Sequence, residues 1–205
     1  ALRDSVPRLL RALADIAPDT AMLRRDMVDI ARTLLGRRIH FGLMHLQCMV
    51  RDWKMDACAR ADIDAQLAIL PEAMQSLAAL LGCHADYSMY ASLLQLGQEC
   101  PVNPDFEPTL KHNLVNGYCR QYAYEPMAYL FLDECRVYCT WVRTRLDAQD
   151  KGIWQVDFRP QETALYARFM ATPLAQMQPT HTEPLPTLLP RLAAVADQIC
   201  VSYNV

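Results

Sequence analysis

The sequence predicts an all-α fold, a multi-helix bundle of about seven or eight helices, and three observations carry that prediction. Apolar residues recur at steps of three and four along most of the chain. No stretch alternates apolar and polar residues long enough to make a half-buried strand, and only six glycines interrupt the 205 residues. Hydrophobic residues make up 52% and charged residues 21%, the balance of a packed core rather than of a disordered chain. That length supports one sizeable core, so a single helical domain over 1–205 is expected, centred on 1–150 with a looser extension over 151–205.

The first helix is expected after Ser5, with Pro7 in its opening turn, and ends at Ile16 before Pro18. Asp19 or Thr20 can cap a long second helix with Leu23, Met27, Ile30 and Leu34 at helical spacing, continuing through Phe41, His45, Cys48 and Trp53 to about Ala59. Gly36 and Gly42 each weaken it by ~1 kcal/mol relative to Ala, which predicts a bend or a close helix approach. Asp62 caps a third helix with the cleanest apolar seam in the chain, Ile63, Leu67, Leu70, Met74, Leu77 and Leu81. Pro71 costs an undisturbed helix interior ~3 kcal/mol and predicts a kink or break at Leu70, and Gly82 closes the segment.

Asp86 opens a short helix through Met89, Leu93 and Leu94 to Leu96, and Gly97 with Pro101, Pro104 and Pro108 marks a loop. A fifth helix is expected from Glu107 to Glu125. Pro126 then starts another, with Met127, Phe131, Glu134, Tyr138, Trp141 and Leu146 as a mixed aromatic stripe. Gly152 to Phe158 reads as extended, Pro160 to Met170 as a short helix and Pro173 to Pro186 as a Pro-rich loop. The last helix, Leu188 to Val201, turns Leu189, Leu192, Val195, Ala196 and Ile199 inward.

The search for chemistry returns little. Cys135 and Cys139 lie one turn apart and, with Cys119 or His84, imitate a metal site, but no Cys-x2-Cys or His-x3-His pair completes a tetrahedral set, so core thiols and no metal are expected. Cys83-His84-Asp86 holds the residue types of an activated nucleophile, yet neighbours at a helix end point to different sides. The carboxylates Asp133 and Glu134, or Asp26 and Asp29, lie near arginines and read as ion pairs rather than as the paired acids of a glycosidase. Arg24, Arg25, Arg32, Arg37 and Arg38 with His40 form a solvated basic face able to contact another domain. No phosphate loop or nucleophile elbow occurs, so no catalytic residue and no cofactor is assigned.

A net charge of -3 gives no field to collect nucleic acid, and the longest apolar runs fall short of the ~20 residues that span a bilayer. The start, Ala-Leu-Arg-Asp-Ser, has neither an initiator Met nor an apolar signal core and reads as a processed product or part of a longer chain. Eight cysteines would allow a disulfide framework, although most fall inside helical apolar patterns and no Asn-x-Ser/Thr acceptor is present. What remains is an aromatic-rich stretch. Tyr118, Tyr122, Glu125, Tyr129 and Trp141 are the candidate interaction surface, for a partner protein or, stacking on the rings, a sugar.

Leu-Leu-Arg-Ala-Leu-Ala-Asp from Leu9, followed by Leu-Arg-Arg-Asp-Met-Val-Asp-Ile-Ala-Arg from Leu23, resembles the start of the C-terminal helical domain of the α-N-acetylglucosaminidase family of glycoside hydrolases. Ile63 to Leu81, Ala85-Asp86-Tyr87 and the Tyr-rich pair Asn116 to Tyr124 and Tyr129 to Leu132 follow in that family's order, so the resemblance covers roughly 8–147. It implies an all-α domain that packs against a (β/α)8 barrel and helps wall a terminal N-acetylglucosamine pocket, the two catalytic carboxylates lying in the barrel. The Trp-Gly and Asp-Tyr-Ala stretches of that family have no counterpart around Pro104 to Asn113, and the Pro-rich tail also departs from it. The expectation is therefore a non-catalytic accessory domain or processed chain of such a glycosidase, lysosomal or secreted. Its alternative is a helical structural subunit of a larger intracellular assembly.

Overall fold

Helix follows helix through the chain, and the computed structural model describes residues 2–16, 19–100, 103, 105–116, 122–179 and 183–201, with backbone only for 2–4. The α-helices are α1 (Leu2–Ala14), α2 (Ala21–Lys54), α3 (Arg60–Leu81), α4 (Met89–Glu99), α5 (Phe106–Asn116), the single turn α6 (Tyr124–Pro126), α7 (Leu132–Asp147), α8 (Arg159–Ala171) and α9 (Leu185–Gln198). A π-helical turn, Met127–Phe131, joins α6 to α7, and 3-10 turns occupy Ala85–Tyr87 and Leu174–Gln176. Among the described residues there is no strand, and eight of these helices are long, as the sequence predicts for an all-α bundle. Among the described residues no helix is long and apolar enough to cross a membrane.

Helix ends follow local side-chain chemistry, not always where the sequence pattern puts them. Thr20 caps α2, its Oγ1 accepting from the Leu23 amide at 3.1 Å. At the other end Asp56 takes a left-handed φ of 60°, its amide reaches Trp53 O and the Ala57 amide reaches Asp52 O. That double closure stops α2 at Lys54 instead of Ala59, with an aspartate doing what glycine usually does. Asp62 does not cap α3 but lies in its first turn, favourable to the helix dipole, while Ala59 occupies the cap position. Ser88, not Asp86, caps α4. α5 is described over Phe106–Asn116, and Tyr122 and Ala123 are not helical, so no single helix runs on to Glu125; helix begins at Tyr124.

Pro71 does not break α3 at Leu70: the helix runs on to Leu81. The ~3 kcal/mol penalty of an interior proline is set against the burial of Ile63, Leu67, Ile69, Leu70, Leu77, Leu80 and Leu81, each worth about 1.5–3 kcal/mol. Packing wins by a wide margin. α3 is the hub, touching α2, α9, α7 and the π-helical turn along its length.

The segment after 151 is no loose extension. Leu188, Leu189, Leu192, Ala193 and Ala196 of α9 are fully buried, and α9 packs chiefly on α1 and α3. Two polar side chains lock it down. Arg38, buried on α2, donates from Nε to Ala196 O at 2.9 Å and from Nη2 to Ile199 O at 2.7 Å, satisfying carbonyls at the end of α9. Gln66, buried on α3, donates to Gly42 O at 2.9 Å and to Cys200 O at 3.2 Å while accepting from the Cys200 amide at 2.9 Å.

Gly42 makes this clasp possible, since a Cβ there would lie 2.5 Å from Ile199 Cγ2, 3.0 Å from Gln66 Nε2 and 3.2 Å from Leu70 Cδ2. The close approach that a mid-helix glycine predicts comes from the far C-terminus. Gly42→Ala gains helix propensity of ~1 kcal/mol but must push Ile199 away, so a net loss of about 1–3 kcal/mol is expected in urea denaturation; a neutral or stabilising result would mean the C-terminal segment is not seated here.

Candidate functional surface

The five residues singled out in the sequence do not form one face. Tyr118 lies outside the described residues. Glu125 is a correction: at 0% exposure it cannot be part of a surface. Its carboxylate accepts from Ser88 Oγ at 2.6 Å and from the amides of Met89 and Tyr90 at 2.9 and 3.1 Å, closing the N-terminus of α4 from across the fold.

Tyr122 is 46% exposed, and its ring covers the Arg32 guanidinium at 3.8 Å. Arg32 itself is buried and grips Asp29 Oδ1 through Nε at 3.2 Å and Nη2 at 2.6 Å, so Tyr122 seals a neutralised cation. Tyr129 is half-buried edge-to-face on Tyr124 at 6.2 Å. Burial, then the neighbouring Tyr129, push the Tyr124 phenol up to about 12.

Trp141 belongs to a different and larger construction. On α7 it stacks on Tyr138 with centroids 6.2 Å apart and meets Phe158 and Trp154 edge-on at 5.2 and 5.6 Å. Burial raises the Tyr138 phenol. Against this cluster lies the extended segment 151–158, pinned along its length. Trp141 Nε1 donates to Asp157 Oδ1 at 2.5 Å, and Arg145 grips Asp157 Oδ2 at 2.6 Å. Trp154 Nε1 donates to Asp150 O at 2.9 Å. Lys54 reaches Gly152 O at 2.5 Å and sits over the Trp154 ring at 4.1 Å. Lys151 bonds to Trp53 O at 2.5 Å and to Asp56 at 2.9 Å.

These anchors tie the ends of α2 and α7 together. α7 closes as α2 does: Gln149 takes a φ of 54°, its amide bonds to Leu146 O, and the Asp150 amide bonds to Arg145 O. Between the anchors the segment holds Ile153 at 90% and Val156 at 54% exposure. Beside it an open cleft of about 640 Å³ runs past Arg136, Thr140, Trp141 and Arg145. The sequence reading placed Trp141 in the surface and 152–158 as extended, but the pinning depends on Lys54 and Lys151, whose partners are 98 and 95 residues distant.

Several of the other chemistry-bearing groups have partners within the fold. His84 Nδ1 accepts from the Asp86 amide at 3.2 Å, and burial pushes the Cys83 thiol up to about 11, so no base is set against a nucleophile. Cys135 and Cys139 are buried beside each other, and their hydrogen bond with burial holds Cys139 well above the ordinary thiol range. Asp133 is shared by Arg136 and Arg168. No group of three His, Cys, Asp or Glu side chains among the described residues is arranged to hold a metal. No protein-family model, curated protein or solved structure matches the chain.

Two stability measurements separate structural from surface roles. Glu125→Ala should cost about 2–4 kcal/mol, since it strips a buried hydroxyl and two amides of their acceptor; a change under ~0.5 kcal/mol would return Glu125 to the surface. Gln149→Gly relieves a left-handed residue at a solvent-exposed helix end, and thermal denaturation should show a gain of about 0.5–1 kcal/mol.

Proposed function

We propose that this chain is a non-catalytic helical domain that works by docking on another folded protein domain, and that the 151–158 face is where it docks. One observation carries the reading: Ile153 at 90% exposure stands on a segment held by at least four side-chain anchors. A flexible loop would lose conformational entropy on binding, and a hydrophobic tip with no role would be free to fold back. Here the ordering cost is met in the free domain. That is the arrangement in which a few apolar side chains deliver most of an interface's affinity, with the Trp141 cleft and the arginines as a polar rim.

The resemblance to the α-N-acetylglucosaminidase helical domain supplies the partner to try first, a (β/α)8 barrel carrying the catalytic carboxylates. The helical alternative, a subunit of an assembly without hydrolytic activity, uses the same face and differs in what is bound.

The test is co-expression of the full chain with an α-N-acetylglucosaminidase barrel, reading co-purification, cleavage of an aryl α-N-acetylglucosaminide and Kd. Association is expected, weakened at least ~30-fold by Ile153→Asp with the unfolding midpoint of the free chain unchanged. No association with the barrel sinks the glycosidase reading; an unchanged Kd in Ile153→Asp sinks the assignment of the face.

A further inference from the structure

We propose that a second cleft, where α2, α3, the π-helical turn, α7 and α8 meet, binds a small organic cation with an apolar body, an aryl- or alkylammonium. The cleft encloses about 350 Å³, within the range of pockets that take small ligands. Its floor is apolar and contributed by separate helices: Ile39 and Leu43 from α2, Met74 and Leu77 from α3, Met127 and Phe131 from the π-helical turn. A turn of this kind is rare and often marks a functional site. Here it sets Met127 and Phe131 to line the cleft ahead of Cys135 and Tyr138 on α7.

The charge of the ionisable groups in the lining selects the ligand. Glu134 of α7, already engaged within the chain, and Glu162 in the first turn of α8 line the cleft, the exposed His40 carries the ionisable nitrogen of the lining, and no lysine or arginine is part of it. Glu162 is half-buried and makes no ion pair among the described residues. An anion is therefore repelled. A sugar would leave most of its hydroxyls without partners against Leu, Ile, Met and Phe. An ammonium gains a charge-assisted hydrogen bond at the Glu162 carboxylate and meets the rings of Tyr138 and Phe158, which lie edge-to-face at 6.1 Å, while its hydrocarbon part fills the floor.

Three naphthalene probes of one shape test this by isothermal titration with the full chain: 2-naphthylmethylammonium, neutral 2-naphthylmethanol and anionic 2-naphthoate. The ammonium should bind 1:1, about tenfold or more tighter than the alcohol, and the carboxylate should not bind. Glu162→Gln should bring the ammonium down to the alcohol's affinity. Met74→Trp, which fills the floor, should abolish binding of both, and a cooperative melt checks that each variant is folded. Equal affinities for ammonium and alcohol would reduce the cleft to an apolar void; no saturation by the ammonium up to about 1 mM, or unaltered binding in folded Met74→Trp, would overturn the site.

Discussion

The closure of the fold rests on one buried amide side chain. Gln66 reads both backbone groups of Cys200 and, at the same time, the Gly42 carbonyl, so a residue of α3 fixes the register of the C-terminal segment against α2. The arrangement requires glycine at 42, because any Cβ would occupy the space of Ile199. Once Ile199 is seated, Arg38 can reach the last carbonyls of α9, and α9 covers α1. Without that seat, Leu10 and Leu13 of α1 would face water, since α1 packs chiefly on α9. A net hydrogen bond is worth only ~1 kcal/mol, but an unmade one at each of these buried groups costs more, which gives the clasp its selectivity for a single register.

The same device recurs at other helix ends. Lys111, buried on α5, donates to Thr172 O at 2.5 Å and pairs with Glu107 at 2.8 Å, and Glu107 in turn accepts from the Leu174 amide at 2.9 Å. One ion pair thereby satisfies both sides of the chain reversal after α8. Glu125 does the converse for α4, a carboxylate serving amides at a helix start. Burying such charges costs several kcal/mol each, and they persist because their partners are fixed backbone groups in short loops that hold little hydrophobic surface of their own. Apolar seams decide which helices meet; buried charges decide how the connections run.

That division explains what could be read from the chain in advance. Residues 63–81 and 188–199 showed their buried faces because helical periodicity is local. Thr20 was legible as a cap for the same reason. The end of α2 was not, since Asp56 takes the left-handed conformation without the glycine that announces it, whereas α7 ends at Asp147, next to the Leu146 where its apolar stripe stops. Glu125 looked like a surface residue between two tyrosines because its partners, Ser88 to Tyr90, are more than thirty positions earlier. The tightness of the C-terminal quarter was hidden likewise, in Arg38 and Gln66. Composition gave the aromatic-rich region but not its division: Tyr122 covers Arg32, Tyr129 leans on Tyr124, and Trp141 with Tyr138 reaches the pinned segment.

Tyr138 and Phe158 belong to two structures at once. On one side they close the apolar cleft between α2 and α7, and on the other they buttress Trp141 under the segment that carries Ile153. A substitution at either ring disturbs both, so its effect on binding could not be assigned. Ile153 stands at the tip of the segment, clear of the cleft, whereas Glu162 lines the cleft and makes none of the bonds that pin the segment. The two surfaces are therefore separable by charge and position although they share a wall. Both border on α2, the helix against which Gln66 and Gly42 seat the C-terminal segment.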